Sequence, residues 1–305
     1  LGELPLGDVV FDCDGLRIGF EICEDAWAGD RPGESMVRTG VDLILNPSAS
    51  HFAFGKQRTR KRFVVDGSRA FGVGYVYANL LGNESGRLIY DGGTMIAADG
   101  ELVANGPRFS FRDVLLTCAP IDVDTVRMRR GQLQRYEPHA GTSEATTVSV
   151  PFSPPQADGR APDRSDPAWW DEPDEKEEQF ARAEALALFD YLRKSGAQGF
   201  VVSLSGGADS STTACLVALM VRLAVDDLGM DRFRDKLDHI ESLADVDEPR
   251  RATEVLLTTV YQATRNSSET TRRAAETLAS ALGADHLELD VDGLITDRPD
   301  RALSV

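Results

Sequence analysis

The run Phe200-Val201-Val202-Ser203-Leu204-Ser205-Gly206-Gly207-Ala208-Asp209-Ser210-Ser211 decides how the chain is read. Apolar residues feed a short glycine-bearing turn. The turn opens into an apolar stretch, Thr212 to Val225, that reads as a helix. Strand, loop and helix therefore follow one another without a break. The two glycines free backbone N–H groups, and the helix N-terminus adds its own, so the turn suits a negatively charged group. Ser205, Ser210 and Ser211 add hydroxyl donors. Asp209 adds a carboxylate of the kind that holds a magnesium ion carrying phosphates. The chain contains no G-x-x-x-x-G-K-[ST], so this is not a Walker A loop.

In order and spacing, Ser205-Gly206-Gly207-Ala208-Asp209-Ser210 resembles the S-G-G-x-D-S loop of the ATP pyrophosphatase family. Those enzymes split ATP into AMP and pyrophosphate and leave an adenylated substrate for a nucleophile. The resemblance implies that Ser203, Leu204, Ser205, Gly206, Gly207, Ala208, Asp209 and Ser210 bind ATP, and that Asp209 is a ligand of Mg2+. A plain serine- and glycine-rich turn is the bland alternative. Six matched positions between a buried strand and a helix weigh against it.

Outward from the loop, Glu177 to Lys194 reads as an amphipathic helix and Gly199 to Leu204 as a strand. Met230 to Leu237 extends the unit as a further helix, and His239 to Arg251 reads as a charged surface excursion. Glu254 to Tyr261 is expected as a buried strand and His286 to Val291 as a third. A helix from Ser268 to Leu282 lies between them, capped by Ser267 or Ser268 and closed by Gly283. Strands alternating with helices argue for a doubly wound parallel sheet with ligands at the C-terminal strand ends.

The 305 residues suffice for two domains, and a hydrophobic content of 42% suffices for sizeable cores. A formal charge of −17 argues against a nucleic-acid surface, which needs clustered Lys and Arg. Cys13, Cys23, Cys118 and Cys215 are irregularly spaced without a C-x-x-C, which suggests neither a zinc site nor a disulfide framework. A cytoplasmic location is the simplest expectation. No apolar run reads as long enough to span a bilayer, so no membrane partner is expected. The start at Leu1 and the stop at Val305 suggest a fragment.

In the first half, Asp14-Gly15 between two apolar runs signals a hairpin, and the second strand, Leu16 to Ile22, leads to Cys23. A cysteine at a strand end, followed by Glu24 and Asp25, is placed to be a nucleophile. Its thiolate needs a nearby base or cation. Read alone, one cysteine is more often a small buried hydrophobe. Pro32 to Thr39 reads as a helix, Val41 to Leu45 as a strand, Lys56 to Gly72 as a basic helix and Gly74 to Leu80 as a strand. Gly82 to Arg87 is a polar loop. Thr94 to Ala98 and Glu101 to Ala104 pair around Asp99-Gly100, and Val114 to Val123 is expected as the last strand.

The strings GFEICEDAW (19–27), GVDLILNPSASHFAFGK (40–56) and YVYANLLGNESGRLIYDGG (75–93) resemble the nitrilase-type glutamine amidohydrolase domain. More narrowly, they resemble the glutaminase half of the glutamine-dependent NAD(+) synthetase family. VYQATRNSSETTRRAAETLA (260–279) resembles the second strand–loop–helix of that family, with Thr264 and Arg265 as candidate contacts, though a helix-start turn is the plainer reading. The resemblance implies a partial nitrilase-like αββα sandwich over residues 1–140. A linker follows over 141–174, then a partial adenine nucleotide alpha hydrolase-like, Rossmann-like domain over 175–305.

Family chemistry uses a Glu–Lys–Cys triad. Cys23 falls at the nucleophile position, which attacks the glutamine side-chain amide, forms a thioester and releases ammonia. The Glu24 N–H would help hold the oxyanion, a contact worth about 3–4 kcal/mol in other hydrolases. Ser50 would contact glutamine, and Lys56 would pair with its carboxylate or remain an ordinary helix charge. His51 is read as structural. The triad Glu and Lys of the family lie well upstream of the cysteine, and no Lys precedes Lys56 here. The chain by itself is therefore expected to lack useful glutaminase activity.

The linker is rich in Ser, Thr, Pro, Asp and Gly, and Trp169 with Trp170 is expected to pin it to a domain surface. A nitrilase-type half joined to an S-G-G-x-D-S half implies ATP- and glutamine-dependent amidation of deamido-NAD to NAD. ATP, Mg2+, L-glutamine and deamido-NAD are the small molecules involved, and the complete protein is expected to be a homo-oligomer. Two other readings stand beside it: a stand-alone thiol amidase with a degenerate ATP loop, and a non-catalytic assembly fragment.

Overall fold

Asp14 and Gly15 both take positive φ, 54° and 87°, the demand of a tight two-residue hairpin turn. Around them β1 (Val9–Cys13) pairs antiparallel with β2 (Leu16–Phe20). This is a computed structural model, and it describes residues 7–83, 87–133, 146–155, 159, 161–169 and 172–292. The chain divides into two units, residues 1–82 with 88–176, and 83–87 with 177–305.

In the first unit the hairpin is followed by α1 (Pro32–Arg38), β3 (Leu43–Ser48), α2 (Lys56–Phe71) and β4 (Gly74–Asn79). Two short strands, β5 (Leu81–Asn83) and β6 (Ile89–Asp91), pair with each other in place of part of the expected polar loop. Then come β7 (Thr94–Ala98), β8 (Glu101–Asn105), α3 (Val123–Gly131) and β9 (Thr146–Ser149). The large sheet runs β8-β7-β4-β3-β2-β1-β9. Its centre, β2-β3-β4, is parallel, while β7 and β8 add antiparallel strands. The central strands are apolar, and α1 and α2 bury Met36, Val37 and Val64 against Ile44, Tyr75, Tyr77 and Met95. Each such side chain contributes about 1.5–3 kcal/mol.

One expectation fails in this unit. Residues 114–122 form no strand, and Val123 begins α3. Val114 and Leu116 are 81% and 80% exposed, so no partner strand covers this run. Cys118 N–H instead donates to the carboxylate of Asp163 at 2.7 Å. The stretch read as a linker, expected to be pinned by its tryptophans, makes further contacts with the first unit. Its residues Thr146–Ser149 add β9 parallel to β1, and Asp163 bridges Asn105 and Cys118 through its backbone. Trp169 packs 6.4 Å from Phe109, as expected of a pinning aromatic, while Trp170 lies outside the described residues.

In the second unit α4 (Glu175–Ser195), which begins just before the division, leads to β10 (Phe200–Ser203) and α5 (Ala208–Leu228). After them come α6 (Met230–Lys236), α7 (Pro249–Leu256), β11 (Leu257–Ala263), α8 (Glu269–Leu282) and β12 (Asp285–Asp290). The sheet runs β10-β11-β12, all parallel. The strand expected from Glu254 starts only at Leu257, because Pro249 initiates a helix that runs to Leu256. The expected surface excursion buries Ile240, Leu243 and Val246. α5 is also long and apolar enough, by length and composition, to cross a bilayer, which corrects the expectation that no run was. It turns Ala214, Val217, Met220, Val221, Ala224 and Leu228 inward, as a helix packed on a parallel sheet does.

Candidate functional site

The sheet of the first unit ends β2 at Phe20. Glu21 stays tied to β3 through its N–H, 3.1 Å from the Leu45 carbonyl. Cys23 then opens a short 3-10 turn, Cys23–Trp27, at φ 48°. A non-glycine residue in the left-handed region is uncommon and costs energy. Asp25 stabilises the turn by accepting from the Ile22 N–H at 2.7 Å. The thiol of Cys23 is half-buried and free of any disulfide.

Beneath the turn lies a buried polar network. The fully buried Glu21 carboxylate accepts from Arg31 at 2.6 Å, from the Gly33 N–H at 2.9 Å and from the Tyr75 hydroxyl at 2.6 Å. Asn46 Nδ2 donates to the Tyr75 hydroxyl at 3.2 Å, and the Ser48 hydroxyl donates to Asn46 Oδ1 at 2.6 Å. Burial, reinforced by the Glu21 charge, pushes the Tyr75 hydroxyl far above its ordinary value, so it stays a donor. Gly33 matters here because a Cβ would sit 2.6 Å from Glu21 Oε1.

Ser50 is buried on the turn after β3. Lys56, at the start of α2, donates to the His51 carbonyl at 3.0 Å and stands 5.6 Å over the Trp27 ring. Burial lowers the Lys56 ammonium from its ordinary value and the Arg60 charge adds to this, while the Asp91 and Cys23 charges pull it back. The structure thus places Lys56 over Trp27, at the far end of the turn that Cys23 opens. The His51 ring is exposed, and its carbonyl is what the neighbours use.

In the second unit the loop after β10 is shaped by its own small side chains. The Leu204 N–H joins the ladder at the Val260 carbonyl, 2.8 Å, and the Ser203 hydroxyl donates to Gln262 at 3.2 Å. Gly206 takes φ 80°, and a Cβ there would meet the Thr271 carbonyl at 2.6 Å. Only glycine satisfies both demands. Ser210 Oγ stands 3.1 Å from Ser205 Oγ and accepts from the Ser205 N–H at 3.2 Å. Gly207 is the N-cap of α5, with Ala208 and Asp209 in the first turn. Ser205, Gly207, Ala208 and Asp209 are all exposed, so donors and carboxylate face outward at a helix N-terminus. That donor set fits a polyphosphate.

No cluster of three or more His, Cys, Asp or Glu suited to a metal occurs among the described residues. Asp209 supplies one carboxylate. A magnesium ion that keeps several waters and binds substrate phosphates requires only one or two. Thr264 and Ser267 form a turn closed by the Ser267 hydroxyl, and Arg265 pairs with Asp292 at 2.9 Å, so this stretch serves as the entry to α8.

Sequence reasoning placed Cys23, Ser50 and Lys56 but passed over Glu21, Arg31, Arg60, Tyr75, Asn79, Asp91 and Arg108. One signal was present. Arg60 shares its helix face with Val64, Gly67 and Ser68, all buried, and a cation on the apolar stripe of a helix needs a buried partner.

Residues 181–298 match the NAD synthase family. The chain is 34% identical over 289 residues to a glutamine-dependent NAD(+) synthetase of Oryza sativa subsp. indica, covering 92% of this chain and 39% of the relative. It is 34% identical over 295 residues to that of Mus musculus, covering 95% and 40%. Among solved structures, a glutamine-dependent NAD(+) synthetase from Cytophaga hutchinsonii superposes with a TM-score of 0.71 at 38% identity, over 95% of this chain and 41% of that one. The Acinetobacter baumannii synthetase, solved with adenosine diphosphate, gives a TM-score of 0.61 at 20% identity over 97% and 42%, which shows the shared fold. The chain spans 39–40% of the length of these curated relatives. The resemblance read from the motifs holds along nearly the whole chain.

Proposed function

We propose, for a chain homologous to glutamine-dependent NAD(+) synthetases over 95% of its length, that it forms part of an enzyme converting deamido-NAD to NAD with ATP and glutamine. The observation that carries the reading is the presence in one chain of a thiol on a left-handed strand-end turn and of an S-G-G-A-D-S loop opening a helix.

Cys23 attacks the side-chain amide of glutamine. The carbonyl carbon passes to sulfur as a thioester, ammonia leaves, and water then releases glutamate. Ser50 and Lys56 orient glutamine, with Lys56 facing its carboxylate. Residues 203–210 hold ATP, with the exposed Ser205, Gly207, Ala208 and Asp209 facing it at the N-terminus of α5. The nicotinate carboxylate of deamido-NAD attacks the α-phosphorus, and pyrophosphate leaves. Ammonia then displaces AMP from the acyl adenylate to give NAD. Asp209 would hold Mg2+ together with the phosphates, and the ion would supply neutralisation of phosphate charge when bound. Support for nucleotide binding comes from the glycine-forced loop geometry and from an ADP-bound relative of the same fold. We assign the complete protein to a reducing, cytoplasmic setting as a homo-oligomer, consistent with four free cysteines.

The test uses the chain together with the further length its relatives carry. Glutamine-dependent formation of NAD is expected, and Cys23→Ala removes glutamine as donor while leaving free ammonia effective. Equal loss of both donors in Cys23→Ala would mean the two half-reactions are not served by separate sites.

A further inference from the structure

Ser50 sits on a turn whose backbone is gripped by groups distant in sequence. Its carbonyl accepts from Arg60 Nη2 at 2.6 Å and from Asn79 Nδ2 at 3.0 Å. Its N–H donates to Asn79 Oδ1 at 2.8 Å. One side-chain amide, at the end of β4, therefore closes on both polar groups of a single residue. Asn79 Nδ2 also reaches the Gly92 carbonyl at 3.1 Å and Asp91 Oδ1 at 3.4 Å.

Asp91 in turn anchors the grip. Oδ1 accepts from Arg60 Nη1 at 2.7 Å, and Oδ2 accepts from Arg108 Nε and Nη2 at 2.9 and 2.7 Å. The side chains of Arg60 and Asp91 are 0% and 1% exposed. Arg108 continues into Phe109, which holds φ 57°, donates its N–H to the Asp91 carbonyl at 2.9 Å and meets Phe52, two residues after Ser50, edge to face at 5.4 Å. Taking three ions out of water is costly, and well-packed apolar residues serve stability as well or better. What this cluster does that packing alone does not is to fix Ser50 in one orientation. Lys56 registers this pair as well, the Arg60 charge and the Asp91 charge acting on it in opposite senses.

We infer that Asn79, backed by the Arg60–Asp91 pair, is the positioning residue for Ser50, and that recognition of the amino-acid head of glutamine depends on it. The inference rests on the assignment of Cys23 and Ser50 proposed above. Asn79 acts through the backbone of Ser50.

The chain, joined to the further length its relatives carry, is treated separately with iodoacetamide, which reports on the thiol alone, and with a chloroketone analogue of glutamine, which reports on recognition. Labelling of Cys23 is read by peptide mass spectrometry, because Cys215 is exposed and Cys118, like Cys23, is half-buried. The unmodified chain should favour the chloroketone, and free glutamine should slow that reaction. Asn79→Ala should lower the chloroketone-to-iodoacetamide rate ratio about tenfold, the size of one lost buried hydrogen bond. Its iodoacetamide rate should stay near that of the unmodified chain. Asn79→Asp keeps the size and the oxygen that accepts from Ser50 but loses the Nδ2 donors. It is expected to show the same fall, and it serves if the alanine variant misfolds. An unchanged ratio in a folded variant overturns the positioning role and leaves the glutaminase assignment standing. No chloroketone preference and no glutamine protection in the unmodified chain overturn both.

Discussion

Around Cys23 the supporting side chains are charged and buried, whereas around Ser205 they are small, neutral and exposed. Glu21 and Asp91 each gather donors from several elements of the first unit. The loop of the second unit takes its shape from one glycine with φ 80° and from serines bonding within the same turn. The contrast follows from the chemistry each region is proposed to perform. A covalent step needs a thiol and its substrate held in one geometry, and distant buried ions supply that rigidity. A polyphosphate needs outward-facing N–H groups, and local backbone conformation supplies those.

The largest expected effect breaks the first of these arrangements. Asp91→Asn removes the one carboxylate between two buried guanidiniums. A loss of about 3–5 kcal/mol is expected, because the charges left behind are uncompensated. Denaturant unfolding of the first unit measures it, and a loss below the error of the method would mean that water already compensates these charges.

Next comes Asp42, buried between β3 and α3. Burial alone raises its carboxyl. The Arg127 and Arg17 hydrogen bonds and the Arg127 and Arg130 charges more than reverse this, holding it below the usual carboxylate value. A depressed native value means stability is present at pH above the unfolded value of about 3.9 and is lost as pH falls through the native value. Asp42→Asn is expected to cost about 1.5–3 kcal/mol near neutrality, the worth of hydrogen bonds to a charged group. It should also flatten the acid limb of the stability curve below about pH 4. An unaltered acid limb would remove Asp42 from the account.

The smallest effect on stability falls on the second unit. Gly206→Ala must adopt a left-handed conformation at a cost of about 1–2 kcal/mol, and its methyl group meets the Thr271 carbonyl. Modest destabilisation with a large loss of nucleotide affinity is expected. Equal affinity in calorimetric titration would show that the loop tolerates another shape, and the contrast between the two regions would blur.

The features that were legible in the sequence are those made by neighbours along the chain. Asp14-Gly15 specified its hairpin, Gly206-Gly207 its loop, and Ser268 with Gly283 the ends of α8. Cys23 was legible as a strand-end thiol, although its positive φ was not. The errors share one cause. Val114 to Val123 has strand-forming composition, but pairing depends on an open edge elsewhere in the sheet. Thr146–Ser149 lies in a polar stretch, yet β1 presents it with such an edge. Asp91, Arg60 and Asn79 meet only because β4, β6 and α2 converge on the Ser50 turn, and no local pattern encodes that meeting. Pro249 is the exception, a local helix-start signal that explains why β11 begins later than its apolar composition suggests.

Titration of the chain with ATP and Mg2+, carried out in parallel on Cys23→Ala, Ser205→Ala and Asp209→Ala, tests the two-site claim most directly. Cys23→Ala is expected to bind like the unmodified chain, while Ser205→Ala and Asp209→Ala each weaken binding about tenfold or more, as loss of a phosphate- or metal-directed contact should. Nucleotide binding that vanishes with the thiol, or that persists unchanged without Ser205 and Asp209, would contradict the two-site claim.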